Sequence, residues 1–242
     1  MTVDKQHIIV NGWDLPLSVD QVIWSQGADP AVMRQRRPQV VRIAEDVVQQ
    51  EAGHLAPVLL YRRIPVKGFW HNRLELEGGS TLQGQVLAEN LAAAEEIVIA
   101  IYTVGETLDE RLTLAMKGRL PYALALDALG TAAVDELGRQ VQAHFKSLAQ
   151  VDGKKVSMCF SPGMLGWELA EGQLQIFDLI DAGLIGVHVA DTGRMTPRKT
   201  ISAIFGLGSM LTDKPVSPCE FCAVQDHCQY RGRYGEFAAL HN

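Results

Sequence analysis

The residues of this chain best suited to chemistry stand near its end, in SPCEFCAVQDHCQYRGRYG, where Cys219, Cys222 and Cys228 fall within ten residues. A Cys-x2-Cys pair can bring two thiolates to one ion, and a third cysteine nearby supplies another corner of a tetrahedron. Such a set suits a 4Fe–4S cluster or a zinc site with three thiolate ligands. Pro218, Gly232 and Gly235 predict irregular backbone around it. The fourth ligand is open between His227, beside Cys228, and Cys159, the remaining cysteine. Asp226 is a harder donor and suits a soft site less well. The first residues, MTVDKQ, lack the apolar stretch of an export signal. The thiols are therefore expected in a reducing, cytoplasmic compartment, where close cysteine pairs read as metal or redox sites rather than disulfides.

A second chemical feature is the turn Ser161-Pro162-Gly163 after an apolar run, where glycine allows a ligand close to the backbone. His71 beside Trp70, and His188 in GVHV, read as core or surface histidines. Met158, Met164, Met195, Met210 and Trp167 read as packing residues, although Trp167 is large enough to cover a planar cofactor.

The elements that hold these features follow from pattern. Asp29 and Pro30 predict a helix start, with a bend or restart at Pro38 before about Gln50. HIIV reads as an edge strand; Val58–Ile64 and Arg73–Glu77 read as strands separated by a turn at Lys67-Gly68. Leu82–Glu96 reads as a helix and Ile97–Val104 as a buried strand, followed by a Thr107–Glu110 capping box. Pro121 opens a long helix reaching Ala149, whose small residues (Ala123, Ala125, Ala128, Gly130, Ala132, Ala133) predict close packing. A strand at Lys155–Phe160, a helix at about Gly172–Ala182, and strands near Gly186–Ala190 and Thr200–Phe205 complete the chain. Strands and helices mix without βαβ alternation, so the fold class is α+β, a largely antiparallel twisted sheet flanked by helices.

The segment from Cys159 to Met210 resembles the reactivation domain of cobalamin-dependent methionine synthase and its small stand-alone relatives. The matching pieces, in order, are Ser161-Pro162-Gly163, Trp167, Gln173, Ile176-Phe177, Ile185-Gly186-Val187, and Met195, Pro197, Lys199 and Thr200. Upstream, Tyr102–Glu106, Leu126–Gly130 and Asp135-Glu136 follow the same order. The resemblance covers residues 95–212 well and 1–94 poorly, with 213–242 as a Cys-rich metal-binding tail on what is expected to be one compact domain. It implies S-adenosylmethionine near Ser161, Pro162 and Gly163, with Glu136 or Asp135 meeting the ligand's amino group. It further implies that Met195, Pro197, Lys199 and Thr200 form a rim facing a corrinoid carried by a partner, a cobalamin-binding methyltransferase or corrinoid protein. The function implied is reactivation of that partner, either with S-adenosylmethionine and an electron-donor protein or with an iron–sulfur centre in the tail as electron relay. A non-catalytic docking module with structural zinc is the alternative. Two residues depart from the family pattern: Cys159 stands where relatives have an Arg for the ligand carboxylate, and Met164 where they have a Tyr. An Arg–carboxylate fork is strong, and a thiol brings no positive charge to replace it.

The bulk numbers bound the reading. A net charge of −6 lacks the basic face of a nucleic-acid binder, and Arg34, Arg36 and Arg37 read as a solvated helix face. No run approaches the roughly 18 apolar residues of a membrane span.

Overall fold

The computed structural model describes residues 7–211, 218–222 and 225–228. The sequence builds one strongly curled antiparallel sheet from seven strands: β1 (Ile8–Val10), β2 (Val58–Trp70), β3 (Arg73–Leu76), β4 (Thr81–Gln83), β5 (Glu96–Thr103), β6 (Lys155–Val156) and β9 (Thr200–Gly208). Their order is β4-β3-β2-β5-β9-β6, with β1 beside the first half of β2. A separate ribbon pairs β7 (His188–Val189) with β8 (Met195–Thr196). Both halves of the chain share the main sheet, because β2 pairs with β5 along Val58–Pro65 and β5 with β9 along its whole length. This is the α+β class that the mixed pattern predicts.

The sheet is covered on both faces, which explains the uncharged run at its centre. In β5, Val98, Ala100 and Tyr102 join one buried cluster, while Ile97, Ile99 and Ile101 join another. Each valine or isoleucine among them contributes roughly 1.5–3 kcal/mol by leaving water. The first cluster packs under α1 (Val19–Ser25), α3 (Pro38–Glu51), α5 (Thr107–Ala115) and α6 (Leu120–Val151). The second lies against α4 (Gln85–Leu91), α7 (Leu169–Phe177) and the turn at Ala182–Ile185. Between α1 and α3 runs α2 (Pro30–Arg36), capped by Asp29 and stopped before Pro38, as Asp-Pro and Pro signals predict.

Several local expectations are corrected. Lys67-Gly68 is a register shift inside β2 rather than a turn; the chain reverses at His71 and Asn72, with His71 at φ 56. A bulge absorbs the extra residue and lets the strand continue. The helical pattern at Leu82–Glu96 divides into β4 and the short α4, because Leu82 is needed as a buried strand residue opposite Leu74. The Thr107–Glu110 capping box does not form: Glu106 is the N-cap and makes no side-chain cap bond. Gly172–Ala182 is helical only at its start, because α7 begins earlier, at Leu169, where Glu168 accepts the Glu171 N–H. The strand expected over Lys155–Phe160 is regular only at Lys155–Val156, with an isolated bridge from Phe160 to Ile204.

The longest element, α6, runs for 32 residues and is anchored near its start. Tyr122 donates to Glu51 Oε1 at 2.6 Å, and Arg111 pairs with the same carboxylate. Burial and the Glu51 charge push the Tyr122 phenol up to about 12, so it stays a donor. Among the described residues, no helix is long and apolar enough to cross a membrane.

Candidate functional site

Five half-buried polar positions of α6 fall at helical spacing: Asp127, Thr131, Asp135, Arg139 and Gln142. Steps of four and three residues keep them on one stripe. Contacts show what the stripe faces. Lys199 Nζ lies 2.9 Å from Asp127 Oδ1 and donates to Thr131 Oγ1 at 2.9 Å. At the other end, Gln142 Nε2 donates to the Ser157 carbonyl at 3.0 Å. The stripe therefore borders the segment entering β9 on one side and the segment leaving β6 on the other, with Asp135 and Arg139 between.

The chain after β6 runs antiparallel to α6. Ser157 pairs with Gly206 and Phe160 with Ile204, so Cys159 stands some 4–7 Å beyond Ser157 along the strand. Its side chain packs with the α6-side cluster, and its Sγ lies 3.6 Å from Ser161 Oγ. Burial pushes the Cys159 thiol up to about 11, with Ser161 pulling it back, so it is a neutral thiol at pH 7. Asp135 is pushed up to about 6 by burial, against the opposing pull of Arg139 and Lys199. Glu136 points elsewhere: it pairs with Arg139 and accepts from Gln140 at 2.9 Å, and Gln140 in turn reaches the Asp14 carbonyl at 2.7 Å.

The Ser161-Pro162-Gly163 turn is built from backbone bonds. Met164 N–H reaches Ser161 O at 3.3 Å, Gly163 N–H reaches Trp167 O at 2.9 Å, and Trp167 N–H reaches Met164 O at 2.9 Å. Gly163 takes φ 95, a conformation costly for residues with a Cβ. Trp167 fixes the base of this loop: it is 2% exposed, within the second core cluster. A Cβ on Gly172 would come within 2.7 Å of its Nε1. Trp167 is thus core and covers no open surface.

Of the rim residues, Met195 is paired in β8 while Pro197 and Thr200 are buried. Thr200 Oγ1 lies 2.7 Å from the Pro197 carbonyl oxygen and 2.9 Å from Thr103 Oγ1. Lys199 alone of the four directs its charge onto α6. Sequence reasoning singled out Asp135, Lys199 and the turn. It missed Arg139, Thr131 and Gln142, and took Asp127 only as part of a motif. The i, i+4 spacing from Asp127 through Arg139 was the available signal.

The cysteines are not gathered around one point. Cys219 belongs to the turn Pro218–Phe221 and Cys222 follows it, its N–H reaching Cys219 O at 3.2 Å. This turn docks on the loop of Gly163: Leu165 N–H donates to Phe221 O at 2.8 Å, Met164 bridges Cys222, and the Phe221 ring lies 6.3 Å from Phe160. Phe160 and Phe221 belong to the cluster opposite the one Cys159 packs against. The structure therefore does not bring Cys159 together with Cys219 and Cys222. Cys228 is half-buried and His227 exposed, after the following turn at Gln225–His227. Among the described residues, no group of three His, Cys, Asp or Glu side chains is placed to share a metal ion. Gln229, Tyr230, Arg231, Gly232 and Gly235 lie outside the described residues.

With this geometry in hand, comparison with solved structures finds the fold. The chain is similar to the crystal structure of the MetH reactivation domain bound to AdoHcy, with a TM-score of 0.63 at 13% identity. The match covers 97% of this chain and 89% of that one, so it includes the N-terminal strands and helices that the sequence resemblance covers poorly. No family model and no curated protein matches the sequence.

Proposed function

We propose that the groove between α6, the Ser157–Gly163 segment and the Lys199 segment binds an S-adenosyl amino acid, and that the chain uses it in reactivating a cobalamin-dependent methyltransferase. The observation that carries this reading is Asp135, half-buried on the stripe of α6 that Lys199 and the Ser157 carbonyl border, with Arg139 and Lys199 acting on its charge. A carboxylate with no short ion pair among the described residues suits a ligand ammonium, and Asp135 takes that role in preference to Glu136, which Arg139 and Gln140 already engage. The Ser161-Pro162-Gly163 turn is assigned the rest of the ligand, with Gly163 holding the φ 95 that the turn requires. S-adenosylmethionine would supply an electrophilic methyl group. The chain's own part is to orient that ligand and to present the Met195–Thr200 edge to a cobalamin-carrying partner. The neighbour's bound AdoHcy supports the choice of ligand class.

Calorimetric titration with S-adenosylhomocysteine tests the reading. Saturable one-site binding is expected, and a flat titration at high protein concentration overturns it.

A second reading concerns the tail. A metal centre on Cys219, Cys222 and Cys228, iron–sulfur or zinc, is supported by their spacing and by the docking of the Cys219–Cys222 turn on Leu165. The side chains as positioned do not form that centre, and no step is assigned to it. Anaerobic metal analysis of wild type beside Cys159→Ala is the check. Stoichiometric metal in both supports a tail site without Cys159. Metal in wild type alone makes Cys159 a ligand, and none in either sinks the metal centre.

A further inference from the structure

The first-choice cation for a ligand carboxylate is missing from this groove, because the residue facing α6 from the strand is Cys159. Its thiol is neutral, and its nearest polar neighbour is a hydroxyl, that of Ser161. The groove still has to balance two opposite charges if its ligand is an α-amino acid derivative. Two cations act on Asp135, namely Arg139 and Lys199. Lys199 is committed to α6, with Asp127 and Thr131 both at 2.9 Å. Arg139 stands one turn beyond Asp135 on the same stripe of α6, and its carboxylate partner Glu136 keeps a second donor in Gln140.

We infer that Asp135 and Arg139 form a zwitterion clamp on α6, Asp135 taking the ligand's ammonium and Arg139 its carboxylate, an inference that rests on the S-adenosyl ligand reading above. Residues four apart on a helix hold their Cβ atoms about 5–6 Å apart, and side chains of this length converge on adjacent groups of one small ligand. The guanidinium fork suits a carboxylate in two-point contact. When the fork turns to the ligand, Glu136 keeps the Gln140 donor. The cation has moved from the strand to the helix, and the strand position has become a small neutral residue that leaves it room. The clamp makes Arg139 the residue that selects amino-acid-bearing nucleosides over those that lack the amino acid.

The test pairs two ligands with two variants. S-adenosylhomocysteine carries the zwitterion, and 5′-methylthioadenosine does not. Arg139→Gln should weaken the first by about tenfold or more and leave the second unchanged, while Arg139→Lys should recover part of the loss. Equal affinity of Arg139→Gln and wild type for S-adenosylhomocysteine would overturn the clamp. So would an equal loss for both ligands, which marks a structural role. If wild type binds neither ligand, the groove reading itself falls and the clamp with it. Arg139 is half-buried on the helix surface, and thermal melting of both variants separates a folding defect from a binding one.

Discussion

At the scale of single residues the account rests on Asp135. Burial raises its pKa to about 6, and the charges set around it are Arg139 and Lys199, with Asp127 on Lys199, Glu136 on Arg139 and the neutral Cys159 across the groove. Ligand ammonium needs the ionised carboxylate, so affinity for S-adenosylhomocysteine should rise from pH 5 to pH 7. Below the transition it should fall by about tenfold per pH unit, and Asp135→Asn should bind weakly with no such dependence. The same shift has a stability consequence. The native state holds this proton more tightly than the unfolded chain, whose value is 3.8. The contribution is therefore full at low pH and is lost as pH rises from about 4 through 6. Asp135→Asn should melt above wild type at pH 7, and a lower melting temperature would show that Asp135 makes a structural ion pair instead. Asp135 was legible in the sequence as one of an acidic pair. Its preference over Glu136 was not, because that depends on Gln140 meeting Asp14 from a distant part of the chain.

At the scale of elements, α6 positions the site. Its length and small residues were readable from Pro121 and the alanine pattern, and the structure extends it only slightly beyond those limits. The reason for Gly130 was not readable. A Cβ there would meet Leu108 Cδ2 at 2.2 Å and Lys199 Cγ at 2.9 Å, so the glycine lets α5 and the Lys199 stem close onto the helix. Gly130→Val should destabilise the fold by about 1–3 kcal/mol, seen as a lower denaturant midpoint. It should also weaken ligand binding by pushing Lys199 off Asp127 and Thr131. Unchanged stability would mean that α5 can move away freely. The misread elements share a cause: β4 and α4 are short pieces whose local propensity is overridden by pairing with β3, and tertiary contacts settle such cases.

At the scale of the whole molecule, the curled antiparallel sheet is the reason distant residues meet. Because β9 lies between β5 and β6, the Lys199 segment that starts β9 reaches α6 at Asp127 and Thr131, and Ser157 after β6 reaches it at Gln142. Fold class followed from the lack of βαβ alternation, and the similarity to the MetH reactivation domain agrees with it over nearly the full chain. Strand order has no local signature, and so the groove could not be drawn beforehand. The same topology leaves a rival cleft of about 740 Å³ at the C-terminal end of β5, lined by Trp13, Pro57, Gly105, Glu106 and Pro197. Locating the ligand decides between them, and a crystal structure of the complex with S-adenosylhomocysteine does so most directly. The account predicts the amino acid end against α6, with the ammonium on Asp135 and the carboxylate on Arg139, and the nucleoside along Ser161–Gly163. Ligand density in the Trp13–Gly105 cleft, or an amino acid end turned away from α6, would contradict it.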